Sequence, residues 1–128
     1  MNLIEAVNEH RKMWKWIARN IILIKPNNLP QMKKIYITCV TNQPLNSVYN
    51  LCYLCEYVVE KECVLDCEKC PLNFSNHNCF TGDSLYNRIV THIRVGEYKK
   101  ASKLAYKMAM LHIKCDINSL YPSILPFS

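Results

Sequence analysis

CYLCEYVVEKECVLDCEKCPLNFSNHNC, residues 52–79, holds six of the chain's eight cysteines, and their spacing governs how the rest is read. Cys52 and Cys55 are two residues apart, as are Cys67 and Cys70, with eleven residues between the pairs. A two-residue spacer lets a tight turn aim both sulfurs inward. Two such turns supply a tetrahedral tetrathiolate site with metal–sulfur bonds of about 2.3 Å. An all-sulfur donor set points to Zn2+ in a closed, structural centre. The ligand candidates are Cys52, Cys55, Cys67, Cys70 and Cys79, of which four suffice, with Cys63 and His77 as weaker substitutes. Pro71 stiffens the exit from the second pair by fixing φ. Cys39 and Cys115 stand apart in apolar surroundings and read as core-packing cysteines.

Two redox readings of the same residues fail on context. Cys63, Cys67 and Cys70 have the spacing of a three-cysteine iron–sulfur cluster, but the chain lacks the βα repeats that such radical enzymes need. A thioredoxin-like Cys-x-x-Cys requires a neighbouring βαβ pattern, and none is present. Disulfides are disfavoured because the first twenty residues carry Glu5, Glu9, Arg11, Lys12, Lys15 and Arg19 where the apolar part of a secretory signal would lie. Ile21-Ile22-Leu23-Ile24 is too short to span a bilayer. The expectation is a soluble cytoplasmic protein with no membrane partner.

Outward from the cysteines, the periodicity is helical. Asn2 followed by Glu5 predicts a capping box, and Leu3, Val7, His10, Trp14, Ile17 and Ile21 form an apolar stripe, so an N-terminal helix is predicted over residues 1–20. Lys25 to Pro30 reads as a loop. Ile35 to Val40 is rich in β-branched residues and predicts at most a short strand or hairpin. Gly82-Asp83-Ser84 supplies a cap for a helix carrying Leu85, Tyr86, Ile89, His92 and Ile93, which Gly96 stops. Tyr98, Ala101, Leu104, Ala105, Met108, Leu111 and Cys115 line one face of the next, so C-terminal helices are predicted over 83–115 and an extended tail over 116–128. The expected fold is mainly α: a single domain, residues 1–128, of helices packed around a small zinc knuckle at 50–80.

The net charge of +6 is unevenly distributed. Residues 1–34 hold seven Lys and Arg against two Glu, residues 81–128 seven against three acids, and residues 35–80 two against five. The cysteine segment is therefore the acidic part, and four thiolates on one Zn2+ add negative charge there, which repels phosphate. Any contact with an acidic partner must come from the helices. No Ser/His/Asp arrangement, phosphate-binding glycine loop or paired-carboxylate motif stands out, and His10, His92 and His112 lie on or beside apolar stripes. The sequence predicts no enzyme and no small-molecule substrate.

Trp14-Lys-Trp16-Ile17-Ala18, Cys52-Tyr-Leu-Cys55-Glu56-Tyr57, Cys67-Glu-Lys-Cys70-Pro71-Leu72, the following Cys79 and Leu85-Tyr86 occur in an order that resembles a group of small, largely uncharacterised bacteriophage proteins. The resemblance implies a phage accessory protein with a cysteine knuckle resting on helices, and it favours Cys79 as a ligand. The chain departs from that pattern by an insertion between Ile21 and Pro44 and by Cys63. It brings no activity with it. The expected function is binding to a host protein or ribonucleoprotein complex in the host cytoplasm, as an anti-CRISPR-like inhibitor of a defence nuclease would do. The alternative is a nucleic-acid-binding accessory or regulatory protein. Arg11, Lys15, Trp16, Arg19, Tyr53, Tyr57, Lys99, Lys103 and Lys107 are the expected partner contacts, since aromatic and basic side chains anchor interfaces.

Overall fold

The computed structural model describes residues 2–47, 52–54 and 84–111. Among these the protein is mainly helical, with α1 at Leu3–Ile24, α2 at Leu29–Ile35, α3 at Leu85–Arg94 and α4 at Tyr98–Ala109. The predicted knuckle at 50–80, apart from Cys52 to Leu54, and the predicted tail at 116–128 lie outside the described residues.

The capping box that begins α1 is present: Asn2 Oδ1 accepts from the Glu5 amide at 2.8 Å, and Glu5 Oε1 accepts from the Asn2 amide at 3.4 Å. Every member of the predicted stripe from Leu3 to Ile21 is buried, and Ala6 and Met13 join it. The helix continues a turn beyond the predicted end at residue 20. It stops at Lys25, which adopts the left-handed conformation at φ 50° and returns its amide to the Ile21 carbonyl.

Only residues 25–28 of the predicted loop are loop. Asn28 caps α2 by accepting from the Gln31 amide at 2.9 Å, and Gln31 Oε1 accepts from the Asn27 amide at 3.0 Å. Pro30 sits in the first turn, where a missing N–H is harmless. The predicted strand at Ile35 to Val40 is corrected: these residues finish α2 and continue as a π-helical turn, Tyr36–Val40. Backbone amides and carbonyls there must be paired, and with no neighbouring strand among the described residues the chain satisfies them internally, through Thr41 N to Tyr36 O at 3.0 Å and Gln43 N to Ile37 O at 3.0 Å. Burial of Tyr36 and Ile37 against α1 outweighs the weak β preference of the intervening side chains. Cys39, read from sequence as a core cysteine, is consequently exposed on this turn.

Ser84 caps α3, its Oγ accepting from the Asn87 amide at 3.2 Å. The helix ends in a Schellman motif at Gly96, which takes φ +80°: Glu97 N bonds to His92 O at 2.8 Å and Gly96 N to Ile93 O at 3.0 Å. α4 then runs antiparallel to α1. His10 Nε2 meets the Met108 carbonyl at 3.1 Å near one end of the pair, and Ser102 Oγ donates to the Ala18 carbonyl at 2.6 Å further along. Tyr98 Oη donates to the Pro26 carbonyl at 2.9 Å, tying the start of α4 to the α1–α2 turn. α4 ends at Ala109, short of the predicted Cys115.

At the centre, Trp14 of α1, Lys33 of α2 and Tyr86 of α3 meet. Lys33 is only 4% exposed, and its Nζ lies 5.4 Å from the Trp14 ring centroid and 4.8 Å from that of Tyr86. The Trp14 and Tyr86 rings are themselves edge-on at 6.3 Å. Lys33→Met should hold stability within about 1.5 kcal/mol, because the stem volume is kept and an ion is no longer desolvated. Trp14→Ala should cost about 3–5 kcal/mol. Denaturant titration of both variants checks the contrast.

Burial lowers the His10 pKa from 6.5 to about 4, and the nearby Lys33 and Arg11 charges push the same way against the opposing Met108 hydrogen bond. The folded state therefore binds fewer protons than the unfolded state between these values. The stability that neutral His10 contributes is complete above pH 6.5 and declines as pH falls toward 4, by about 3 kcal/mol. Melting curves over that range should show the decline, and His10→Gln, which can keep a donor on the Met108 carbonyl, should flatten it.

Candidate functional site

The antiparallel α1–α4 pair determines which basic residues share a surface. Arg11, Lys15 and Ala18 fall on one side of the α1 wheel, and the Ser102 to Ala18 bond shows that this side borders α4. Around α4 from Ser102, Tyr106, Lys99 and Lys103 come next, moving outward. Arg11 and Lys15 are half-buried, whereas Arg19, Lys99 and Lys103 are exposed. These five cations thus lie on the outer surface of the α1–α4 pair. Lys107 is exposed one turn beyond Lys103, on the same outer face of α4.

Among the described residues the carboxylates lie off this face. The described residues include Glu5, Glu9 and Glu97. Glu97 engages Lys100 at 3.0 Å and His92 Nδ1 at 3.1 Å beyond the end of α3, and these bonds, that from Lys100 foremost, draw its pKa below the usual carboxylate value. Glu5 and Glu9 lie on the side of α1 turned toward the π turn. Burial lowers the Arg11 pKa from its ordinary value, and the group remains a cation.

The aromatic contacts expected from sequence are placed elsewhere. Trp16 is half-buried and packs on the core with its ring 5.7 Å from Tyr36, on the flank of α1 away from α4. Tyr53 is 2% exposed, so it is a core residue and not a surface anchor. Its burial follows from the edge-on packing of its ring against Tyr36 at 6.5 Å. Tyr57 lies outside the described residues. The aromatic group on the basic face is Tyr106, 54% exposed, which sequence reasoning passed over. Its signal was available: it falls off the apolar stripe of α4, between Lys103 and Lys107.

Of the proposed metal ligands, Cys52 is described. It is half-buried and packs against the core beside the buried Tyr53 and Leu54, so the first ligand turn would begin on the helical body. Cys55, Cys63, Cys67, Cys70, Cys79 and His77 lie outside the described residues. Among the described residues no helix is long and apolar enough to cross a membrane. No family model matches the chain, and neither a curated protein nor a solved structure shows significant similarity to it.

Proposed function

We propose that this protein is a non-enzymatic, zinc-stabilised phage accessory protein that binds a host protein or ribonucleoprotein complex, in the manner of an anti-CRISPR inhibitor of a defence nuclease. The observation that carries the reading is the outer surface of the antiparallel α1–α4 pair, which carries the exposed Arg19, Lys99 and Lys103 with the half-buried Arg11 and Lys15 on the same side of α1 as Arg19. Such a face suits an acidic partner surface, because complementary charge speeds encounter and fixes orientation. The Zn2+ would be held by four of Cys52, Cys55, Cys67, Cys70 and Cys79, supplying folding energy to a segment poor in apolar residues.

The exposed Tyr106 beside Lys103 favours a second reading, direct nucleic-acid binding, since an aromatic ring among cations can stack on an unpaired base. Salt separates the two. Electrophoretic shifts with single-stranded and duplex RNA and DNA at about 50 and 200 mM salt should show weak binding if the target is a protein. Tight binding that falls by about a thousandfold or more over that range instead supports nucleic acid. A triple Arg19→Glu, Lys99→Glu, Lys103→Glu variant should lose capture of the host complex while melting normally, because all three side chains are exposed. Elemental analysis should find zinc, and a strong chelator should lower the melting temperature. A zinc-free chain that melts unchanged in chelator removes the metal from the proposal.

A further inference from the structure

The opposite side of α1 carries a second polar site, which does not rest on the reading of the basic face. Glu5 and Glu9 of α1, Tyr36 and Thr41 of the π turn and its exit, Gln43 and Tyr53 line a cleft of about 600 Å³. That volume falls within the range of small-ligand sites, roughly 300–1,000 Å³. Lys12 also reaches its rim and lies 3.4 Å from Glu9 Oε1, an exposed pair of the weak kind.

Tyr53 contributes to the lining from a side chain that is almost wholly buried. The Tyr53 hydroxyl is buried and finds no hydrogen-bond partner among the described residues. Burial raises its pKa, and the Glu9 charge raises it further; Thr41 is near enough to oppose this but not in hydrogen-bonding geometry. Thr41 Oγ1 gives its own proton to the Ile37 carbonyl. Glu9 and Thr41, the groups that act on this hydroxyl, line the cleft together with Tyr53. The neighbouring Tyr36 phenol is pushed up to about 12, by burial first and then by Glu9 and Tyr53. Both phenols are therefore neutral at physiological pH, and their rings stand perpendicular.

This chemistry narrows the occupant. Two carboxylates repel an anion, and an unpaired hydroxyl on a lining residue penalises a purely apolar group. A divalent metal would find protonated phenols poor ligands. A planar cation with several N–H donors meets all three demands: charge for the carboxylates, a donor for the Tyr53 oxygen, and a flat face for an aromatic wall. We propose that the cleft receives a guanidinium group, with N–H donors shared between the Glu9 carboxylate and the Tyr53 hydroxyl and with Glu5 adding negative charge at the rim.

Guanidinium can come from an arginine side chain of a partner protein or from a free small molecule. The test is an amide-shift and calorimetric titration of the full chain with N-acetyl-arginine-methylamide, agmatine and N-acetyl-lysine-methylamide. The expected result is that guanidinium probes perturb Glu5, Glu9 and Thr41 and bind about tenfold more tightly than the lysine probe, as one charge-assisted hydrogen bond provides. Tyr53→Phe should weaken binding about tenfold without lowering the melting temperature, since it removes an unpaired hydroxyl and keeps the ring. Glu9→Gln, on a partly exposed side chain, should weaken it at least as much. Equal or tighter binding of the arginine amide than of agmatine identifies a protein side chain as the source; preference for agmatine identifies a free ligand. Absence of binding, equal affinity for the ammonium and guanidinium probes, or a Tyr53→Phe variant that binds normally overturns the proposal.

Discussion

One ammonium group, that of Lys33, sits where three helices converge, and their arrangement depends on accommodating it. Trp14 comes from α1, Tyr86 from α3, and Lys33 itself from α2, so the cation bridges elements that are far apart in sequence. Removing an ammonium from water costs several kcal/mol even after relaxation. Each desolvated ring contact returns about 2 kcal/mol. The net gain is small, so the slot acts through geometry: the charge is tolerated only where both rings face it. His10 is constrained by the same charge, which helps hold its imidazole neutral beneath the Met108 carbonyl. The interior is thus built around a fixed cation and a histidine that must not become one.

The helical outline was legible in the sequence to the extent that local chemistry wrote it. Asn2 with Glu5, Ser84 and Gly96 all perform their expected terminal roles, and the α1 stripe is buried throughout. The helix α2 was missed because Pro30 reads as a breaker, although Asn28 followed three residues later by Gln31 is a capping signal that a first-turn proline does not contradict. Ile35 to Val40 was misread for a different reason. β-Branched composition reports a preference for half-buried surfaces, and only tertiary contacts determine whether that surface belongs to a strand or to a helix turn. Lys33 illustrates the limit of such reasoning, since nothing local distinguishes a lysine facing two aromatic rings from one facing water.

The candidate surfaces were legible in part. Charge counting located the basic residues, but which of them share a face follows from the antiparallel pairing of α1 and α4, fixed by two side-chain hydrogen bonds to distant carbonyls. That pairing leaves Tyr106 on the exposed side of α4 with Lys99, Lys103 and Lys107. It also divides α1 into flanks of opposite character, basic toward α4 and acidic toward the π turn. A single amphipathic helix can carry this division because residues three or four apart stay on one flank while those between are turned away.

The widened turn at Tyr36–Val40 makes chain length itself a constraint. A turn closed by bonds to the fifth preceding residue accommodates one more residue than regular winding does, and everything after it is rotated by roughly 100° relative to an uninterrupted helix. That offset keeps Ile37 in the interior while Thr41 and Gln43 emerge on the rim. Shortening the segment by a residue would restore the regular phase and carry those two side chains around the axis, even if every amino acid type were retained. Sequence length here is as strictly determined as side-chain identity is in the core.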